Sequence, residues 1–244
     1  RAEGVVMRRV FVIVTVALFA LVFWRLIDAY SELQALRPLA QYYVVQGPIE
    51  LGAPNIVTGI LITYRGFDTL GEVAVLFMVA ASVGLLLKSE STATATEAAT
   101  EAEADDDSVP RRQPGEIVRT GMQVLLPMIL TFGAYVIVNG HLSAGGGFQG
   151  GAIVASGAML MLLARPGAAL NVALLSVVES FAGVIYVMIG ILGLVLAGGF
   201  LDARFLPRGE FGAFFSAGAI PLISALLGVK VGAELSVIID RFRS

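Results

Sequence analysis

The stretch Glu179–Gly199 reads ESFAGVIYVMIGILGLVLAGG, with one acid at its start and no charged side chain after it. About 20 consecutive apolar residues suffice to cross the hydrocarbon core of a bilayer as a helix. Its Val and Ile content would favour a strand in water. In lipid that propensity is overridden, because each unpaired backbone group costs several kcal/mol and only a helix pairs them all within one segment. The stretch is therefore expected to span a membrane.

Similar apolar stretches recur along the chain. Val10–Ile27, Leu70–Leu87, Gly121–Asn139, Gly150–Ala164 and Phe214–Leu235 complete a set of about six expected transmembrane helices. The first is too long for a signal peptide and lacks a small-residue cleavage site, so it is expected to be retained. Composition agrees: of 244 residues, 57% are hydrophobic and only 14% are charged, against about 25% charged in soluble domains. The expected fold class is an all-α integral membrane protein, arranged as two helices and then four.

The two groups are separated by Ser89–Gln113, a Ser/Thr/Ala/Glu/Asp tract with an acidic run from Glu101 to Asp107. It has almost no large apolar residue to offset ordering entropy, so a disordered linker is expected over 89–115. The expected division is a membrane module over 1–88, this linker, and a four-helix domain over 116–244. Pro38–Thr69 is apolar but broken by Gly47-Pro48, Gly52 and Pro54. An interfacial or re-entrant segment sheltered by protein fits it better than a straight span.

Lys and Arg placement sets the expected orientation. One side receives Arg1, Arg8, Arg9, Lys88, Arg111, Arg112, Arg119, Arg165, Arg241 and Arg243, and the other Arg37, Arg65, Arg204 and Arg208. Both termini are thus expected in the cytoplasm. Without a basic, aromatic-laced patch, nucleic acid is not an expected partner. With no cysteine and a single histidine, no metal site, cofactor or thiolate chemistry is expected.

Residues 139–151 read Asn-Gly-His-Leu-Ser-Ala-Gly-Gly-Gly-Phe-Gln-Gly-Gly. A glycine-rich run before a helix can cradle phosphate, but no strand precedes this one and no Lys-Ser/Thr follows. The reading is structural: Gly140, Gly145, Gly146, Gly147, Gly150 and Gly151 permit a tight reversal and close helix packing. His141 has the one side chain that ordinarily titrates near neutral pH. It either relays protons or caps a neighbouring carbonyl.

The stretch from Gly140 to Gly151 closely resembles the signature of the B subunit of Mrp/Mnh sodium–proton antiporters, also found in the equivalent subunit of membrane-bound hydrogenases. Ala144 stands where that family usually has Pro. The resemblance continues through Val178-Glu179-Ser180, Gly190-Ile191-Leu192-Gly193, Gly199-Phe200-Leu201 and Pro221, covering about Glu116 to the C-terminus. A second stretch, from Gly52-Ala53-Pro54-Asn55 through Tyr64-Arg65-Gly66-Phe67-Asp68 to Gly71-Glu72, is similar to the C-terminal region of the large Mrp A subunit. It is similar too to a small subunit of membrane-bound hydrogenases. The resemblances imply a non-catalytic subunit of a Mrp-type cation/proton antiporter in a prokaryotic cell membrane. The alternative is the matching membrane-arm subunit of a related respiratory complex. Implied partners are large antiporter-like subunits, membrane lipids, and Na+ and/or H+.

Candidate ion or proton stations follow from intramembrane charge, which is costly unless paired or hydrated. Asp68 and Glu72 share a helix face, with Arg65 one turn back. These form an anchoring network or include a protonatable station. Lys230 lies mid-span, with Glu234 one turn on and Glu179 able to face it across the bundle. They are either structural ion pairs or proton-biasing groups. Asp28, Asp202 and Glu210 fall at span ends, where interfacial anchoring suffices. Pro127 and Pro221 are expected to interrupt two helices.

Overall fold

The computed structural model describes residues 2–30, 35–101 and 115–243. Its helices are α1 (Ala2–Asp28), α2 (Pro38–Val45), α3 (Gly47–Leu51), α4 (Ile56–Gly59), α5 (Gly66–Glu101), α6 (Glu116–Val138), α7 (Gly147–Ala164), α8 (Val172–Ala197) and α9 (Ile220–Arg243). A π-helical turn, Ile60–Tyr64, joins α4 to α5, and a 3-10 turn, Ala203–Phe205, lies between α8 and α9. Among the described residues, six helices are long and apolar enough to cross a membrane: α1 from Met7, α5 through Leu87, and α6 to α9.

Two compact units are present, Arg1–Gln41 and Tyr42–Ser244. The first contains α1, whose described apolar side chains are exposed along its length. In the second, α9 is the axis. It buries 61% of its apolar window, more than any other span, and contacts α5, α6, α7 and α8.

Glycine makes that packing possible. A Cβ at Gly151 would lie 2.8 Å from the Gly228 carbonyl oxygen on α9, and one at Gly133 of α6 would lie 3.2 Å from the Gly150 carbonyl oxygen. Small residues at such crossings bring backbones together where lipid offers no hydrophobic driving force. Gly150 and Gly151 serve that packing inside α7, within the expected span, and Gly147, expected in the loop before it, is the first residue of the helix. The reversal itself uses Gly140 and Gly145, the latter at φ 125°.

Three further boundaries move. The last span begins at Ile220, not Phe214, because Ala217 and Gly218 take positive φ and turn the chain. Pro221 thus occupies the first turn of α9, where its missing N–H costs nothing; only Pro127 lies inside a helix. The fifth span begins at Val172, after an Asn171 side-chain cap on the Leu174 N–H at 3.0 Å, which sets Glu179 two turns inside. Finally, α5 runs on to Glu101. Its Ala and Glu extend a helix already nucleated in the membrane, and propagation costs far less than initiation. The expected disorder is not seen over Ser89–Glu101, and residues 102–114 lie outside the described part.

The re-entrant expectation for Pro38–Thr69 meets a run of short helices, which from Tyr42 onward gathers at the end of the bundle where α5, α7 and α9 start and α6 and α8 finish. Leu51 and Ala53 of this run are fully enclosed with Leu201, Ala217 and Ile220. At the π-helical turn, Arg65 N–H donates to the Ile60 carbonyl at 2.8 Å. The Thr69 hydroxyl donates to the Leu61 carbonyl at 2.6 Å.

Candidate functional site

Lys230 is the eleventh residue of α9, and its Nζ donates to two carboxylates. Glu234 Oε2, one helical turn on, lies at 3.0 Å, and Glu179 Oε1, on α8, at 3.1 Å. The side chains of Lys230, Glu179 and Glu234 are 7%, 11% and 0% exposed. The intrahelical pair with Glu234 and the pair across the bundle with Glu179 are thus both present. An unpaired lysine at mid-helix costs about 2.5–3.5 kcal/mol on insertion scales; here the ammonium is matched from two sides. Gly183 of α8 lies beside its stem, where an added Cβ would make ordinary contact with Lys230 Cδ and Cε at 3.8 Å. The second Glu234 oxygen, Oε1, is buried with no hydrogen-bond partner. The cluster therefore holds one more carboxylate than ammonium and keeps an acceptor in reserve. That composition can bind a proton or a cation.

Beside it lies a cavity of about 470 Å³ between α5 and α8, with Lys230 and Glu179 on its wall and Phe77 at its rim. Lys230 Nζ is 5.9 Å from the Phe77 ring centroid.

Asp68 and Glu72 are not part of this cluster. Asp68 pairs with Arg65 at the start of α5, both half-exposed. Glu72 is exposed on α5, and the hydroxyl of Tyr186 on α8 is buried without a hydrogen-bond partner. His141 lies in the loop after α6, 1% exposed, with Nε2 3.1 Å from the Phe214 carbonyl oxygen. A carbonyl only accepts, so Nε2 carries the proton and Nδ1 is a bare, unpartnered acceptor. Burial pushes this histidine below its ordinary range, against the pull of nearby backbone carbonyls. Its geometry is that of a cap on the 198–219 loop, away from the Lys230 cluster.

A second charged network escaped the sequence reading because its members are far apart in the chain. Glu50 of α3 accepts from the hydroxyls of Tyr42 and Tyr64, both at 2.6 Å, and pairs with Arg204 at 2.5 Å. Those two hydroxyls, with Arg204 beyond them, hold the Glu50 carboxyl below the usual carboxylate range despite its burial. Burial and the Glu50 bond together push the Tyr64 hydroxyl up. Arg204 also forks onto Asp202, Nε to Oδ1 at 2.8 Å and a terminal nitrogen to Oδ2 at 2.5 Å. Burial opposes the charge on Asp202, but Arg204 outweighs it and keeps that carboxyl low. Asp202 is therefore more than an interfacial anchor: with Glu50 and Arg204 it locks α3 to the loop before α9.

Asn55 makes the other lock. Its side-chain amide donates to the carbonyls of Gly140 and Ser143, each at 2.7 Å, and its backbone N–H donates to the His141 carbonyl at 3.0 Å. The Thr58 hydroxyl adds a bond to the Gly145 carbonyl at 3.0 Å. The two sequence stretches that carried the resemblances are thus directly bonded to each other.

Comparisons with known proteins follow the same two-part layout. Residues 117–237 match the family model of a domain related to the MnhB subunit of the Na+/H+ antiporter. Residues 7–103 match that of MbhE, the E-type subunit of MBH. Among solved structures, a chain of the archaeal membrane-bound sulfane sulfur reductase complex matches with TM-score 0.77 and 32% identity, over 97% of this chain and 98% of that one. A chain of the Mrp complex from Dietzia sp. matches with TM-score 0.68 and 23% identity, over 99% of this chain but 26% of that one. A probable K(+)/H(+) antiporter A/B subunit of Rhizobium meliloti is 34% identical over 136 residues, 51% of this chain and 14% of the relative. The two-part layout thus has counterparts in fold: near full-length in the sulfane sulfur reductase complex, and within a much longer chain in the Dietzia complex.

Proposed function

We propose that this chain, which belongs to the family of MnhB-related subunits of Mrp-type membrane complexes, scaffolds large antiporter-like subunits and contributes its Glu179–Lys230–Glu234 cluster to their ion or proton route. The carrying observation is the cluster itself: an enclosed ammonium between two carboxylates at mid-span, with one buried carboxylate oxygen unpaired. Charge kept at membrane depth is a functional hypothesis by default. A supporting role is favoured over a self-contained exchanger because the described spans hold few other enclosed charges, and broken helices around a central site are the mark of exchangers that work alone. In this reading the chain performs no bond-making chemistry. The Lys and Arg bias supports both termini on the cytoplasmic side.

The test is cation-driven proton movement in proteoliposomes holding the purified complex. Lys230→Met and Glu234→Gln should abolish it with subunit stoichiometry unchanged, and undiminished transport would remove the cluster from the route. Glu72→Gln tests the outer carboxylate separately. A second reading, the membrane arm of a respiratory complex, is supported by the near full-length match to a chain of the sulfane sulfur reductase complex. It differs in its co-purifying partners: redox-active subunits accompany the chain only in that case.

A further inference from the structure

The cavity between α5 and α8 has a composition that neither lipid nor a second copy of the chain satisfies. Its walls are apolar: Leu70, Ala74 and Phe77 from α5, and Gly183, Val184 and Val187 from α8. These recur at helical spacing on one face of each helix, so they form a groove along the spans. Phe77 and Val184 are exposed within it, while Lys230 and Glu179 sit on its wall. An acyl chain filling the groove would press hydrocarbon onto an ion pair and offer it no hydrogen bond.

The neighbouring elements bring little compensation. α7 contains no ionisable residue over Gly147–Ala164. Asp68 on α5 is engaged by Arg65, and Glu72 is exposed. Asp240, lower on α9, lies beside Arg243, and Arg241 donates to the Ala80 carbonyl. The Lys230 cluster thus keeps one formal negative charge in excess. A symmetric pairing of two copies through this groove would set two such clusters against each other, since an isologous interface opposes like to like.

We propose that the α5/α8 groove is the docking site for a transmembrane helix of another subunit of the complex, one presenting a basic or hydrogen-bond-donating side chain to the Glu179 carboxylate beside Lys230. Small residues at Ala74, Ser180 and Gly183 allow the incoming backbone to approach closely. The polar side chain of that helix completes the charge match and keeps lipid from the ion pair. This inference rests on the chain being a complex subunit, as proposed above, and adds where the partner sits.

The test uses the assembled complex and a chain free of cysteine, so that a single introduced cysteine carries a photoactivatable probe. One probe replaces Val184 in the groove, and a control replaces Leu196, exposed near the end of α8. After illumination, the Val184 probe should yield a cross-link to a transmembrane peptide of another subunit containing Lys, Arg, His, Ser, Thr, Asn or Gln. If the probe's bulk instead expels one subunit, while the Leu196 variant keeps the full set, the groove is equally identified as that subunit's seat. An intact complex in which Val184 cross-links to lipid, to a second copy of this chain, or to a peptide lacking all of those side chains would overturn the inference. The proposed function would survive that result, since it is tested separately by transport in the cluster variants and by which subunits co-purify.

Discussion

The side-chain nitrogen of Asn55 lies 2.7 Å from the carbonyl oxygen of Gly140, joining two sequence modules across 85 positions. An amide has two N–H groups, and the shortest bonds go to Gly140 and Ser143, with Gly145 at 3.3 Å. Loop carbonyls turned toward a partly buried position are thus satisfied by a side chain from the other module.

Asn55→Ala should therefore destabilise the whole second unit, not only the loop. Each buried acceptor left dry costs about 1–3 kcal/mol. Thermal unfolding in detergent should show a lowered midpoint, and Asn55→Asp, which keeps the shape but loses the donors, should be no better. An unchanged midpoint would mean that water replaces the amide.

Lys230→Met should cost more, about 3–5 kcal/mol, because it strands two enclosed carboxylates. Neutralising all three as Glu179→Gln, Lys230→Met and Glu234→Gln should regain most of that loss. Exchanging Lys230 with Glu234 should fail as well, since Glu179 would then face a carboxylate at position 230. Full stability of the exchanged pair would show that the bond to Glu179 is dispensable. Melting curves of the purified variants distinguish these outcomes.

Gly151→Ala places a methyl 2.8 Å from the Gly228 carbonyl oxygen and should loosen α7 from α9, at about 1–3 kcal/mol for such overpacking. Gly121→Ala on α6 is the control. Nothing lies within 4 Å of its added carbon, and the helix gains up to about 1 kcal/mol in propensity. Opposite shifts in melting temperature are expected.

His141 links stability to pH. Its folded value lies below the ordinary 6.5 because burial disfavours the cation. In acid the unfolded chain takes up a proton that the folded chain resists, so stability falls with pH. The contribution is whole above about pH 6.5 and is lost as pH falls through the folded value. His141→Gln, which can keep a donor toward the Phe214 carbonyl, should flatten that part of the stability profile, measured by unfolding across the acid range.

The membrane helices were legible in the sequence because a span must be long and apolar regardless of its neighbours. Their ends were less so. Val172–Val178 was missed as the start of α8 although Asn171 is a standard N-cap, and Phe214–Ala219 was taken as helix although Ala217 and Gly218 turn the chain. Ser89–Glu101 looked unstructured because composition describes a segment alone, whereas this one continues a helix formed upstream. At the candidate site, the i, i+4 spacing of Lys230 and Glu234 made their pairing readable, and Glu179 was expected only to be able to face Lys230 across the bundle. The Glu50–Arg204–Asp202 lock was not readable, since no periodicity connects residues 154 positions apart. Asn55 lay inside a recognised stretch, but its role depends on carbonyls that only the folded loop presents.

Purification of the tagged chain from its native membrane, with mass-spectrometric identification of what co-elutes, tests most directly whether this is a subunit of a Mrp-type assembly. Large antiporter-like membrane subunits should accompany it in constant ratio, and the isolated chain should move no cations in liposomes. A chain that elutes alone and by itself exchanges cations for protons would contradict the subunit role.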